Sequence, residues 1–327
     1  AIISQFAQAT LEMYDQPRVV AATSYMGPII MDAQRQTTEQ RLMTIRSTSN
    51  GSKAPGHMYA SYRVATGDRT GNTSLEGFDY DLDTFTLGVD KVVGSGWAIG
   101  LAATYGSGEI NLVGGGLTDF ETLMGSAYIG FNGESGMFID LSGGISTDDY
   151  DTIRNTSFVF RPTANGKAGG TSSYFNAEVG YTMETGGFRI GPYAGVRYLS
   201  SDVGTYAETG AAMFNLTVLG QRASGIVGSV GLEIGGAYSS GNVRIVPLVR
   251  VAYETELDSI GYGASIQTST GHIVGVGRGD DSKNRITANA GLALVGDQFS
   301  VSFSYQGTVD YSDGKDQGFI GRLSYSF

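Results

Sequence analysis

The chain has 327 residues, a formal net charge of −11, 16% charged residues, 50 glycines and no cysteine. The lack of cysteine excludes disulfides and thiolate metal sites, and the negative charge argues against a nucleic-acid partner. No segment approaches the about 20 apolar residues of a membrane-spanning helix, so a membrane-embedded form of this chain must be a closed β-barrel.

The first 49 residues have a helical pattern. Apolar residues from Ile2 to Met13 recur at helical spacing until Pro17 ends that run. A second stretch, 29–46, is polar on all sides, which is untypical of a core helix and suits a hydrated lumen. We expect residues 1–49 to form a helical pore plug; the alternative is a flexible linker. The charges assigned to this pore helix are Arg35, Glu39 and Arg41.

From residue 58 onward the sequence alternates with the period of a β-strand. In 97–105 the odd positions are mostly large and apolar and the even positions are small, and 175–183 and 299–305 repeat the division. One apolar side opposite a small or polar side is typical of a barrel between lipid and a wet lumen. Twelve segments have this pattern: about 58–66, 80–92, 96–110, 119–132, 136–150, 171–184, 187–201, 221–239, 241–257, 283–295, 298–310 and 317–327.

The connections between these segments alternate in length. Short turns containing glycine stand near 94–96, 132–136, 185–187, 239–241 and 296–297. Longer loops are expected near 67–79, 111–118, 151–170, 202–220, 258–282 and 311–316. Short periplasmic turns and long external loops are typical of outer-membrane barrels. The sequence therefore predicts an all-β fold: a 12-stranded antiparallel transmembrane β-barrel over 50–327, with an N-terminal α-helical pore or plug segment.

Ten charged residues fall on the lumen side of the predicted strands. On the lipid side, an arginine near mid-membrane would cost about 2–4 kcal/mol. We expect these residues to pair with one another; alternatively they hold the helix or set ion selectivity. Asp140 and Glu178 are the partners predicted for the helix charges. The ten residues are Arg63, Asp90, Asp140, Glu178, Arg189, Arg197, Arg244, Arg250, Glu254 and Arg285.

The final strand ends on an aromatic residue and has an apolar outward side. This ending resembles the C-terminal signal by which the assembly machinery recognises outer-membrane barrels. The alternative is an ordinary edge strand that ends by chance on phenylalanine. The residues of the predicted signal are Phe319, Leu323, Tyr325 and Phe327.

Residues suited to catalysis are few. His57 precedes the first strand and His272 lies in the longest loop, so they suggest no joint site. Ser142 lacks the strand–turn–helix context of a nucleophile elbow. We predict no enzyme, no metal and no cofactor; the alternative is an outer-membrane lipase that uses histidine and serine.

Several short motifs resemble the translocator domain of bacterial autotransporters, over about residues 30–327. They are QRLMTIR at 40–46, YDLDTFTLGVD at 80–90, EVGY at 178–181, PYA at 192–194, YAETGA at 206–211, and Pro247 inside a strand.

The resemblance implies an integral protein of the bacterial outer membrane, a secretion pore that exports a passenger and keeps a helix in its lumen. Its partners would be outer-membrane lipid, the barrel-assembly machinery and the exported polypeptide. Members that cleave the passenger inside the barrel do so at an asparagine of the pore helix. No asparagine precedes Asn50, so we expect no such self-cleavage.

Two other interpretations remain open. The chain also resembles the helix-plugged, 12-stranded Fap-type pore, which would export amyloid subunits that are separate chains. A diffusion porin is the third interpretation.

Overall fold

A closed barrel of twelve long strands surrounds one helix. The computed structural model describes residues 20–48, 56–71, 76–94, 96–156, 163–185, 188–277, 284–310 and 314–327. A 3-10 turn, Ala22–Tyr25, leads into helix α1, Met26–Thr48. The barrel strands are β1 (Gly56–Arg69), β2 (Phe78–Val93), β3 (Trp97–Leu112), β4 (Gly116–Asn132), β5 (Met137–Asn155), β6 (Thr163–Tyr181), β7 (Phe188–Val203), β8 (Gln221–Gly236), β9 (Val243–Asp258), β10 (Asn284–Val295), β11 (Phe299–Asp310) and β12 (Gly314–Ser326).

The barrel closes because its first strand pairs with its last. β1 is antiparallel to both β2 and β12, and each of the other long strands likewise pairs with two neighbours. Closure leaves no strand edge with unpaired backbone groups, which hydrocarbon would not tolerate. The predicted strand number and antiparallel closed barrel are confirmed.

The two sides of the wall follow the predicted alternation. In β3, Ile99 and Leu101 are 48% and 61% exposed, whereas Ala98 and Gly100 are buried. The outer side presents large apolar residues, which suits a lipid-facing belt. The inner side is buried because α1 fills the lumen.

The strands continue beyond the apolar belt at one end of the barrel. Connections at the turn end, between β2 and β3 for example, are short, and those at the loop end are mostly longer. Three loop-end connections are shorter than predicted: residues 113–115, 156–162 and 311–313 separate the strands where loops near 111–118, 151–170 and 311–316 were expected. The prediction was wrong because apolar alternation stops at the lipid edge, whereas strand pairing does not; β5 and β6 have 19 residues each, and about 9–11 suffice to cross a bilayer.

Helix α1 is longer than the predicted 29–46. Pro28 is tolerated because the first helical turn needs no intrahelical N–H donor. A Cβ at Gly27 would overlap Oγ of Ser201 in β7, so glycine allows α1 to approach the wall closely. No helix in the described ranges is long and apolar enough to cross a membrane. The predicted helical run from Ile2 to Met13 lies outside the described residues, as do parts of the predicted turns at 94–96 and 185–187.

Candidate functional site

Helix α1 runs through the lumen with a defined direction. At its start, the Tyr25 ring stacks on Tyr262 of a loop-end segment, with centroids 3.8 Å apart. The Gly263 N–H donates to Oγ of Ser24 at 3.3 Å. Near its end, Arg46 Nη1 lies 2.6 Å from Oδ2 of Asp140, close to the turn before β5. The N-terminal end of α1 therefore lies at the loop end and its C-terminal end at the turn end.

Ion pairs hold the turn-end half of α1 against the wall. Arg41 forms a two-pronged pair with Asp90, with Nε–Oδ2 at 2.6 Å and Nη2–Oδ1 at 2.8 Å. Arg46 also pairs with Glu233 at 2.8 Å. Arg189 donates to the carbonyl oxygens of Arg46 and Ser47 at 3.1 and 2.7 Å, which satisfies two of the C=O groups that a helix leaves unpaired at its end.

Arginines on and around the turn-end half of α1 also lie over aromatic rings. The guanidinium carbons of Arg46 and Arg250 lie 3.8 Å from the ring centroids of Phe138 and Tyr193. The ring of Phe138 in turn covers Gly180, its cross-strand partner, where a Cβ would overlap the ring. Glycine on the inner wall therefore makes room for rings, and those rings support arginines.

A charged network joins the middle of α1 to three strands. Asp32 accepts from Arg35 Nε at 2.9 Å and from Arg197 Nη1 of β7 at 2.7 Å. Glu254 of β9 accepts from Arg197 Nη2 at 2.9 Å and from Arg285 Nε of β10 at 2.6 Å. Each carboxylate binds two guanidiniums, so alternating charges link α1 to β7, β9 and β10.

The loop-end half of the lumen is apolar instead. The first residues of the helical segment pack against inward side chains of the strands and against loop residues. The buried cluster includes Val20, Tyr25, Met26, Ile30, Phe78, Leu82, Ile110, Phe120, Tyr150, Val218 and Ile266.

Loop-end segments build a small sheet over this cluster. Its strands are 206–207, 217–218, 263–267 and 273–277. Arg154 of β5 pairs with Glu208 (Nε–Oε1 2.8 Å), and Glu208 also accepts from the Leu216 N–H at 2.9 Å. Burial raises the pKa of the Tyr206 phenol above its ordinary value. The small sheet and the contacts of Glu208 form a lid over the mouth of the barrel.

The sequence-predicted charges all lie on the inner wall or on α1, but the predicted pairing was wrong. Asp140 pairs with Arg46 and Glu178 pairs with Arg250, whereas Arg41 pairs with Asp90. On the helix, Arg35 and Glu39 pair with each other. Arg244 at the start of β9 is half-buried, and Arg63 of β1 is buried.

Sequence reasoning missed four charged residues that contact α1 or belong to it. Arg322 of β12 donates to the Thr37 carbonyl oxygen at 2.7 Å. Arg322 and Glu233 share the inward parity of their neighbours Ser324 and Gly231, so alternation could have found both. Asp32 lies three positions before Arg35, and this helical spacing could have indicated that the two residues pair. Arg46 was noted only as part of a motif.

The candidate catalytic residues do not form a common site. His57 Nδ1 lies 2.9 Å from Oδ1 of Asp90, inside the turn-end ion-pair cluster. Ser142 is buried in the wall of β5, and His272 is exposed at the loop end. In the described ranges no group of His, Cys, Asp and Glu is arranged to hold a metal ion. The residues of the predicted assembly signal, Phe319, Leu323, Tyr325 and Phe327, are exposed on the outer side.

Comparisons with known proteins agree with this architecture. A family model described as the autotransporter β-domain matches residues 58–306. The fold is similar to the translocator domain of the autotransporter NalP from Neisseria meningitidis, with a TM-score of 0.72, 16% identity, and 90% of this chain and 97% of that chain covered.

Two further solved structures share the fold. The β-domain of the Bordetella autotransporter BrkA gives a TM-score of 0.61 at 18% identity, with 84% of this chain and 100% of that chain covered. The transport unit of the autotransporter AIDA-I from Escherichia coli gives 0.54 at 10% identity, with 87% and 96% covered. A search of curated proteins found no match.

Proposed function

The chain belongs to the autotransporter β-domain family, and from that premise we propose that it exports a polypeptide joined to its own N-terminus and is then closed by α1. The protein is a translocator barrel, an outer-membrane secretion pore with a helix inside. The proposal concerns the cargo, the contacts that close the pore and the partners.

The direction of α1 is the observation that supports a joined passenger. Its N-terminal end contacts Tyr262 and Gly263 at the loop end, and its C-terminal end contacts Asp140 at the turn end. With short turns in the periplasm, the N-terminal end of α1 faces the external side, where a passenger joined to it would emerge. A plug whose preceding segment stayed in the periplasm would run the other way, so the Fap-type alternative is disfavoured.

We propose two functional segments: the pore plug over 1–49 and the barrel over 50–327. The plug acts through Arg35, Glu39 and Arg41, together with Asp32 and Arg46. Of the ten lumen charges predicted from the sequence, Asp90, Asp140, Arg189 and Arg197 hold it directly, because they form charge-assisted hydrogen bonds with α1. Their role is thus to hold the helix rather than to select ions, and no catalytic role is assigned to any residue.

The proposed surroundings are those of an integral outer-membrane protein. Large apolar residues on the outer side of the strands suit lipid contact. We assign Phe319, Leu323, Tyr325 and Phe327 to recognition by the barrel-assembly machinery, because they form one exposed apolar row at the end of the chain.

A surface-display experiment tests the proposal. A small reporter with a protease site is fused before Ala1, and intact Gram-negative cells that express the fusion are treated with protease. We expect the reporter to be cleaved on intact cells. The matched control inserts the same reporter at Gly241, in the turn between β8 and β9, where only permeabilised cells should lose it. A reporter before Ala1 that stays protected while the barrel is assembled would overturn the joined-passenger proposal.

A further inference from the structure

A cavity beside α1 contains a buried arginine that forms no ion pair with the described residues. The cavity has a volume of about 60 Å³ and lies between α1 and strands β1, β2, β7, β10, β11 and β12. Arg63 of β1 lines it and is only 7% exposed. Its Nε and Nη1 atoms have no hydrogen-bond partner among the described residues. A buried guanidinium with two unpaired N–H groups is unfavourable unless something inside the cavity accepts their hydrogen bonds.

The neighbouring carboxylates are already engaged by other arginines. Asp316 accepts two hydrogen bonds from Arg69, at 2.8 and 3.0 Å, and one from the Tyr80 hydroxyl at 2.5 Å. Asp32 accepts from Arg35, Arg197 and Gln36. Both acids act on Arg63 electrostatically, but each is held by a different partner.

Among the residues that the structure describes, the local charges leave an excess of one positive unit. Around the cavity and its ion pairs stand five arginines: Arg35, Arg63, Arg69, Arg197 and Arg285. The matching carboxylates are four: Asp32, Glu39, Glu254 and Asp316. One monovalent anion would neutralise the site, whereas a dianion would overcompensate it.

We propose that this cavity binds a halide ion, with chloride as the natural occupant, on the guanidinium of Arg63. A cavity of this volume holds more than one water-sized sphere, so a halide fits with a water beside it. The acceptor atoms Gln36 Oε1 and Gln306 Oε1 also lack partners here. Rotating the Gln306 amide would turn its NH₂ group toward an anion, whereas the Gln36 NH₂ group stays on Asp32.

The halide would tie the wall to the plug. Arg63 belongs to β1, whereas Asp32 and Gln36 of the cavity lining belong to α1. The site is complete only while α1 is in the lumen, so halide binding stabilises the closed state. This inference does not depend on which polypeptide is exported.

Bromide is the probe for the test, because its binding can be measured in solution and located by anomalous diffraction. Unfolding of the full chain in micelles is followed in urea at constant ionic strength, with gluconate replaced by bromide; gluconate is too large for the cavity. Bromide at ten times its Kd should raise the folded-to-unfolded ratio about 11-fold. Arg63→Met should abolish this response, and the control Arg322→Met, which removes another buried lumen arginine, should retain it.

Crystals grown with bromide provide the second measurement, which stands even if Arg63→Met fails to fold. We expect an anomalous peak in contact with the Arg63 guanidinium. An equal bromide response in wild type and Arg63→Met, or a map with only water at Arg63, would overturn the proposal. A response to sulfate as strong as that to bromide would contradict the monovalent assignment.

Discussion

The pair between Arg41 and Asp90 offers the sharpest test of how the pore is closed. The Asp90 carboxylate is completely buried, and it also accepts from the Tyr128 hydroxyl at 2.9 Å. Asp90→Asn keeps the shape of the side chain but removes its charge. Arg41 then remains buried without a counter-charge for as long as α1 stays in the lumen.

The size of the effect on pore opening depends on whether the closed or the open state is destabilised. Removing one partner of a buried ion pair costs about 3–5 kcal/mol. If α1 leaves, both side chains meet water, so the penalty applies to the closed state alone. A shift of about 3 kcal/mol corresponds to a roughly 10²-fold change in the ratio of open to closed pores.

Single-channel recording in planar bilayers measures this ratio. We expect Asp90→Asn to raise the open probability about 10²-fold, and the double variant Arg41→Leu with Asp90→Leu to return it toward the wild-type value, since an apolar replacement of both partners leaves no buried charge. The control is Asp83→Asn, the same change on the exposed side of the same strand. An open probability of Asp90→Asn equal to that of wild type and of the control would refute the role of this pair.

Four further outcomes are expected. Deleting residues 1–48 leaves every strand intact and should give continuous conductance; a wild-type conductance would show that α1 is not the plug. Val196→Arg should reduce assembly, since a charge on the lipid side costs about 2–4 kcal/mol, and Val196→Leu should not. An epitope at Ser269 should be reached by antibody on intact cells and one at Gly241 only after permeabilisation; the reverse would invert the orientation. Phe327→Ser should slow assembly measured by pulse-chase, and an unchanged rate would remove it from the signal.

The alternation of apolar and polar residues predicted which side of the barrel wall a residue faces. It predicted neither the position of the residue along the barrel axis nor its neighbours. Arg250 and Glu178 were assigned to the lumen from parity alone, because a charge in lipid is costly. Their pairing depends on the stagger of β6 against β9 across the lumen, which single-strand periodicity does not contain. For the same reason the predicted helix partners of Asp140 were wrong. Its partner is Arg46, which lies at the same level of the barrel near the turn end.

The lid was not predictable from alternation. The strands 206–207 and 217–218 have two residues each, too few to show a period, and they form because the loops meet over the helix start. The motif YAETGA did mark the place: its Glu208 binds Arg154 and the Leu216 N–H. A motif without catalytic residues can thus indicate a structural contact whose partner, Arg154, lies 54 positions away.

Part of the high glycine content is explained by how the lumen is filled. Three inner-wall glycines, at positions 88, 180 and 231, each face an aromatic cross-strand partner, and a Cβ at any of them would overlap that ring. The three rings lie beneath Arg41, Arg46 and Arg250. Glycine therefore does not leave the pore open; it lets the rings lie flat, so that they narrow the lumen and position the arginines of the ion pairs. Larger residues at these three positions would displace the rings toward the lumen axis and disturb the ion pairs of Arg41, Arg46 and Arg250.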